Sequence, residues 1–279
     1  MDRTTVGSLL RSTQAYCSEL CEKETLEYGI AYYNPRFASL PEANQFREVL
    51  IDDPLRIPEA FDQTESWFHQ RKMICRRWAP AGGQGTDELA DFLTRRGFRS
   101  RRHLAMSLTR WIDRETLQDV RILPARAMRD AYRETFTRFE TPGSSALREL
   151  LAEASLERLD DPHLDMVVAL WDKQPVGRCG LYQVGDIARV MSVCVLPMYA
   201  GRGIEEALLA HVLALAKRLT MRNVLTQIDE TDRAGLHPSD LSLQRSRALE
   251  LTLEEAGFVG DGEIVEFERD APTLAGIVP

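Results

Sequence analysis

An apolar run, Val193-Cys194-Val195-Leu196, ends at Pro197 and passes through Ala200-Gly201-Arg202-Gly203 into a segment from Ile204 that reads as a helix. A strand-to-helix junction of this kind aims several unpaired backbone N–H groups, and the positive end of the helix dipole, at one spot, which suits a phosphate. Glycine at 201 and 203 lets a bulky diphosphate approach the backbone with no β-carbon in the way. Arg202 adds a positive charge. Taken alone, Gly-Arg-Gly after a strand also describes many solvated turns. Glu205 weighs on the other side: a carboxylate in the first helical turn suits an empty helix end. Beside a diphosphate it costs on the order of a kcal/mol or more unless it turns away.

Other reactive residue types are scattered. The five cysteines, at 17, 21, 75, 179 and 194, follow no zinc-ligand or disulfide-scaffold spacing. Cys17 and Cys21 share a helix face without further ligands nearby. Cys194 has no His close in sequence and reads as a core thiol rather than a nucleophile. His163 and His211 stand alone and read as surface or packing residues.

The elements that must position the turn follow from hydrophobic period and punctuation. The first half reads as helix 4–24, strand 26–33, strand 46–51, helix 58–70, strand 73–78, helix 86–96 and strand 101–108. After a polar connector at 111–116 come strand 120–123, helix 125–137 and a helix from Ser144 or Ser145 to about Leu159. A hairpin of 164–171 and 176–184 turns at Asp172-Lys173-Gln174-Pro175. Strand 188–196, helix 204–218, strand 223–228, helix 243–255 and strand 263–268 complete the chain. Phe92-Leu93-Thr94-Arg95-Arg96-Gly97-Phe98 and Thr252-Leu253-Glu254-Glu255-Ala256-Gly257-Phe258 each close a helix with Gly-Phe, after the same strand-helix-strand-helix order. Two related domains are expected, residues 1–112 and 118–279, the first a partial copy. Chance resemblance remains open, since such helix ends are common.

Composition sets outer limits. With 279 residues, 44% hydrophobic and 28% charged, the chain has apolar surface enough for a core. A net charge of −8 disfavours a nucleic-acid binder and is compatible with a cationic amine substrate, though solubility alone explains it too. The run Arg95, Arg96, Arg99, Arg101, Arg102 reads as an exposed charged face. No segment has signal-peptide or membrane-span character, so a reducing cytoplasm and no membrane partner are expected.

The placement of the glycine turn after the hairpin, before helix, strand and Gly-Phe-terminated helix, resembles the GNAT superfamily of acyl-CoA N-acyltransferases from residue 118 onward. The family loop, Gln/Arg-x-x-Gly-x-Gly/Ala, stands here as Ala200-Gly201-Arg202-Gly203-Ile204-Glu205; the glycines, Arg202 and Ile204 fit, and the first and last positions depart. The resemblance implies an α/β (α+β) fold with a mixed, mostly antiparallel central sheet flanked by helices. It also implies acetyl-CoA as cosubstrate and a primary amine of a small molecule or peptide as acceptor. It places Gly201, Arg202, Gly203, Ile204 and Glu205 at the diphosphate, and Val193, Cys194 and Val195 along the pantetheine, where the family's central strand opens away from the next. Asp229 and Glu230, at the end of the strand beyond that gap, are the candidate catalytic bases; a solvated strand end is their other reading. The Tyr that many members use as acid is replaced near Thr252 and Leu253. The first half has Asp52-Asp53-Pro54 where the glycine loop would stand and is expected to bind no coenzyme. Three functions stay open: an N-acyltransferase, a degenerate fold that binds without turnover and, last because of the acidic balance, a phosphate-responsive regulator whose arginine cluster contacts nucleic acid. Oligomeric state is not readable.

Overall fold

The structure, a computed structural model, describes residues 4–112, 117, 119–138, 145–229 and 241–269. Among them the order is α1 (Thr5–Leu20), β1 (Glu22–Leu26), β2 (Gly29–Tyr33), β3 (Asn44–Val49), α2 (Ile57–Gln70), β4 (Arg77–Pro80), α3 (Asp87–Arg95) and β5 (Arg99–Leu108). Then follow β6 (Val120–Pro124), α4 (Arg129–Thr137), α5 (Ser145–Arg158), β7 (Leu164–Trp171), β8 (Gln174–Val184), β9 (Ile187–Val195), α6 (Ile204–Arg218), β10 (Asn223–Asp229), α7 (Leu241–Glu255) and β11 (Phe258–Glu268). No helix among the described residues is long and apolar enough to cross a membrane.

The chain divides into two compact units, residues 1–19 with 103–262, and residues 20–102 with 263–279. This differs from the expected division of 1–112 and 118–279 by an exchange. The strand after Gly97-Phe98 lends its residues 103–107 to β10 in the first unit. The strand after Gly257-Phe258 lends Phe267 and Glu268 to β4 in the second. Sequence order gives no sign of this, because a strand's pattern records that it is buried but not which edge it joins.

In the first unit the strands run β5-β10-β9-β8-β7-β6, with β9·β10 parallel and the other pairs antiparallel. β7 is buried along nearly its whole length because both faces are covered. On one side Val167, Ala169, Cys179, Leu181 and Val190 pack under Ile204, Leu208, Val212 and Ala216 of α6, residues four apart on one helix face. On the other, Met166, Val168, Leu170 and Tyr182 pack with Tyr132 and Leu159. The β7–β8 hairpin turns on Asp172 and Lys173, both with positive φ, the geometry of a two-residue primed turn.

In the second unit the order is β1-β2-β3-β4-β11, with β3·β4 parallel. Its core gathers Phe46, Phe61, Phe68, Trp78, Leu93 and Phe98. Beneath it Arg47 and Glu266 form a buried ion pair at 2.7 Å, and Arg77 joins Glu268 at 2.6 Å. In the arginine run, Arg101 and Arg102 meet Glu268 and Glu263.

Several sequence boundaries are corrected. The first helix ends at Leu20, and the single strand 26–33 is a hairpin of β1 and β2. β1 escapes detection because Glu-Lys-Glu-Thr-Leu is almost wholly exposed and shows no apolar alternation. β4 begins at Arg77 rather than Met73; Met73 and Cys75 are buried beside the ladder, which mimics a strand's period. β5 begins directly after Gly97-Phe98 and β11 at Phe258 itself, both earlier than expected.

Candidate functional site

β9 and β10 pair only at Ile187, Ala188 and Arg189 against Asn223, Val224 and Leu225. Beyond that register Thr226 Oγ1 still donates to the Val190 carbonyl at 3.0 Å, and then, among the described residues, 191–195 of β9 have no ladder partner on β10; this unpaired stretch is the wedge between the two strands. The cause lies partly in β9 itself. Between the pairs Gly180·Met191 and Arg178·Cys194, a single residue on β8 opposes Ser192 and Val193, and Ser192 takes a φ of 56°. Such a bulge bends its strand and sharpens the local twist. Val193, Cys194 and Val195, the expected pantetheine contacts, thus form the half-buried end of β9 along the wedge.

β3 carries a matching feature, with Glu48 at φ 55°. There the outcome differs, since β3 and β4 remain paired past the irregularity to Val49·Pro80. The second unit has the bulge without the opening.

At the foot of the wedge, Gly201 and Gly203 adopt left-handed φ of 72° and 80°, and Gly203 caps α6 with no side-chain bond. Across the cap, the Ala207 N–H donates to the Gly203 carbonyl at 3.0 Å. The amides of Ile204, Glu205 and Glu206 therefore lie in the stretch that a helix leaves without internal partners. Ile204's side chain is wholly buried in the core, so only its main chain is on offer to a ligand. The side chain of Leu117 lies 3.2 Å from where a β-carbon on Gly203 would stand. Arg202 is exposed, its guanidinium 5.3 Å from the Tyr199 ring and 5.7 Å from that of Trp171.

Glu205 faces inward. Burial, offset by its own backbone N–H and reinforced by Glu206, holds its carboxyl above the usual carboxylate range. The amide of Glu205 is thus turned toward its own carboxylate. Glu206 adds a second acid to the same turn, with Oε2 buried and unbonded.

Asp229 ends β10 on the wedge's far side, half-buried. The other candidate base, Glu230, lies outside the described residues, as does the loop 231–240. Asp229 stands in register with His103 of β5, so the two project from the same face of the sheet. Sequence reading missed His103, which is remote in the chain and carries no motif. Leu253 is buried in the core and Thr252 half-buried, so the position of the family's tyrosine holds no phenol. Cys194 is half-buried, while the other four thiols are buried. Burial, and then Arg218, depress His211's basicity, in keeping with a packing role.

Residues 125–237 match the family model described as acetyltransferase (GNAT) family. No curated protein matches the sequence. Among solved structures, a functionally unknown conserved protein from Staphylococcus epidermidis shares 14% identity at a TM-score of 0.68, over 90% of this chain and 94% of that one. A GCN5-related N-acetyltransferase from Kribbella flavida shares 14% at 0.59, over 95% and 97%. Another from Sphaerobacter thermophilus shares 16% at 0.56, over 90% and 83%. At such identities the likeness is one of fold: a mixed, mostly antiparallel sheet flanked by helices.

Proposed function

We propose that the GNAT-family domain carried by this chain is an acyl-CoA-dependent N-acyltransferase acting on a primary amine of a small molecule or peptide. The observation that carries this reading is the wedge between β9 and β10, opening directly beside the two left-handed glycines that start α6. The residues present fit acetyl-CoA as a cosubstrate: no side chain projects from Gly201 or Gly203, Leu117 being the neighbour that covers Gly203, and among the described residues 191–195 of β9 have no ladder partner on β10.

In this reading the main chain at 203–205, with Gly201 and Arg202, holds the diphosphate, and Val193, Cys194 and Val195 offer main-chain partners to the pantetheine arm. The acceptor nitrogen attacks the thioester carbonyl, forming the C–N bond as the C–S bond breaks. Asp229 takes the proton that nitrogen sheds, with Glu230 as the alternative base. The departing sulfur acquires one proton, which balances the exchange of amine and thioester for amide and thiol. In sequence terms, residues 1–112 and 118–279 are two copies of one plan that exchange their last strands. The first copy, zipped between β3 and β4, is a degenerate one that binds no coenzyme. The reading places the protein in the cytoplasm, where the five cysteines stay thiols.

A second reading, a coenzyme-binding module without turnover, is favoured by Glu205 and by Leu253 and Thr252 in place of the tyrosine. Thermal unfolding with acetyl-CoA tests both. Ligand at about 100 times its dissociation constant adds about 2.7 kcal/mol to stability. An unmoved melting curve at saturating acetyl-CoA overturns both readings, whereas a shift without acetyl transfer to any of a panel of amines favours the module.

Glu205 gives a finer test. Its raised pKa means that it becomes neutral, as pH falls, earlier than an ordinary glutamate. Wild-type affinity for acetyl-CoA, measured by calorimetry, should therefore rise on acidification more than that of Glu205→Gln. At neutral pH the variant should bind equally or more tightly. Weaker binding by Glu205→Gln at neutral pH contradicts the placement of the diphosphate.

A further inference from the structure

Away from the wedge, side chains from two distant parts of the first unit's sequence converge. Glu19 lies in the last turn of α1, and Asp161 and His163 lie in the turn between α5 and β7. One ligand atom from each lies within 4.8 Å of the other two. Asp161 is only 9% exposed. Its Oδ1 accepts the backbone N–H of His163 at 2.8 Å and stands 3.2 Å from that residue's Nδ1. Its Oδ2 is buried with no hydrogen-bond partner.

That oxygen is the anomaly. A buried polar atom left without a partner costs about 1–3 kcal/mol, and more when charged. Glu19 brings a second negative charge to the same place. Nearby guanidinium groups reach other acceptors and none bonds Oδ2; Arg126 donates to the Asp161 and Leu164 carbonyls. Arg158 donates to the Tyr16 carbonyl at 3.1 Å and lies 3.6 Å over its ring, and Arg129 pairs with Asp160. Burial, and then the Asp161 and Glu19 charges, push the Tyr182 phenol up, so it stays neutral.

We propose that Glu19, Asp161 and His163 form a binding site for a divalent transition-metal ion, with zinc as the preferred occupant. One imidazole nitrogen and two carboxylate oxygens suit zinc, whereas calcium and magnesium take oxygen-rich sets. The exposed Glu19 side chain closes on the ion while Asp161 is already held. Three protein ligands leave one position for water. The ion ties the end of α1 to the α5–β7 turn, and this role is independent of acyl transfer.

Full-length protein stripped of metal by a chelator is titrated with zinc chloride, and in parallel with magnesium chloride, by calorimetry and thermal unfolding. The wild type should take up one zinc ion at this site with a raised melting temperature, and magnesium should have little effect. Asp161→Asn and His163→Gln should each weaken zinc binding by roughly tenfold or more. His163's side chain is 58% exposed, so His163→Gln is expected to fold, which keeps the test sound if Asp161→Asn does not. Cobalt substitution distinguishes the ligands: an N/O set gives weak visible bands only. An unchanged zinc affinity in His163→Gln, an equal response to magnesium, or an intense near-ultraviolet thiolate-to-cobalt band overturns the proposal.

Discussion

Gly203→Val is expected to reduce acetyl-CoA affinity by roughly 100-fold or more, which corresponds to about 2.7 kcal/mol. Two effects combine. At φ 80° a β-branched residue is strained by about 1–2 kcal/mol, because its Cβ crowds a backbone carbonyl. The added Cβ also meets Leu117 at 3.2 Å, so either the side chain gives way or the loop shifts and the amides of residues 204 and 205 lose their common aim. Gly201→Ala is the internal control. At φ 72° it carries similar backbone strain, but no heavy atom lies within 4 Å of its Cβ, so its effect should be smaller. Calorimetric titration, with circular dichroism melts to establish folding, measures both. A folded Gly203→Val protein that binds acetyl-CoA as tightly as wild type removes the diphosphate from this junction.

The second large effect is expected at Asp229. Removing a general base lowers rate by about 100- to 10,000-fold, and Asp229→Asn should show that loss in kcat with the KM for acetyl-CoA little changed. The split matters because Asp229 lies across the wedge from the glycine turn. A structural failure at the end of β10 would weaken coenzyme binding as well. His103→Gln is the companion variant, since it alters the residue in register with Asp229 from the neighbouring strand. If Asp229→Asn retains acetyl transfer within a few-fold of wild type, the proton is taken elsewhere, and Glu230 becomes the next residue to substitute.

Much of the second half of the molecule is legible from local pattern. The hairpin at Asp172-Lys173, the helix with Ile204, Leu208, Val212 and Ala216 on one face, and the strand at 223–229 each declare themselves by period and punctuation. The glycines at 201 and 203 mark the turn by their missing β-carbons, and the structure adds that both take a left-handed backbone. The first half is less legible. β1 has charges on both sides and no inward face, and Met73 to Cys75 imitates a strand because burial beside a ladder looks like burial within one. Ser192 gives no hint of its φ of 56°, although it marks the bulge that bends β9.

By itself, the sequence determined the succession of strands and helices apart from the β1–β2 hairpin, the Gly-Phe helix ends, and the amide-bearing start of α6, all of which depend on neighbours a few residues apart. Tertiary structure alone decided that β9 and β10 part after three pairs while β3 and β4 stay joined, and that β5 and β11 trade places. It also decided that Glu19 meets Asp161 and His163. Those outcomes are set by which strand edges and side chains meet across long stretches of chain. Chain order does not encode such meetings, because a residue's hydrophobicity fixes that it is buried and leaves open what it is buried against.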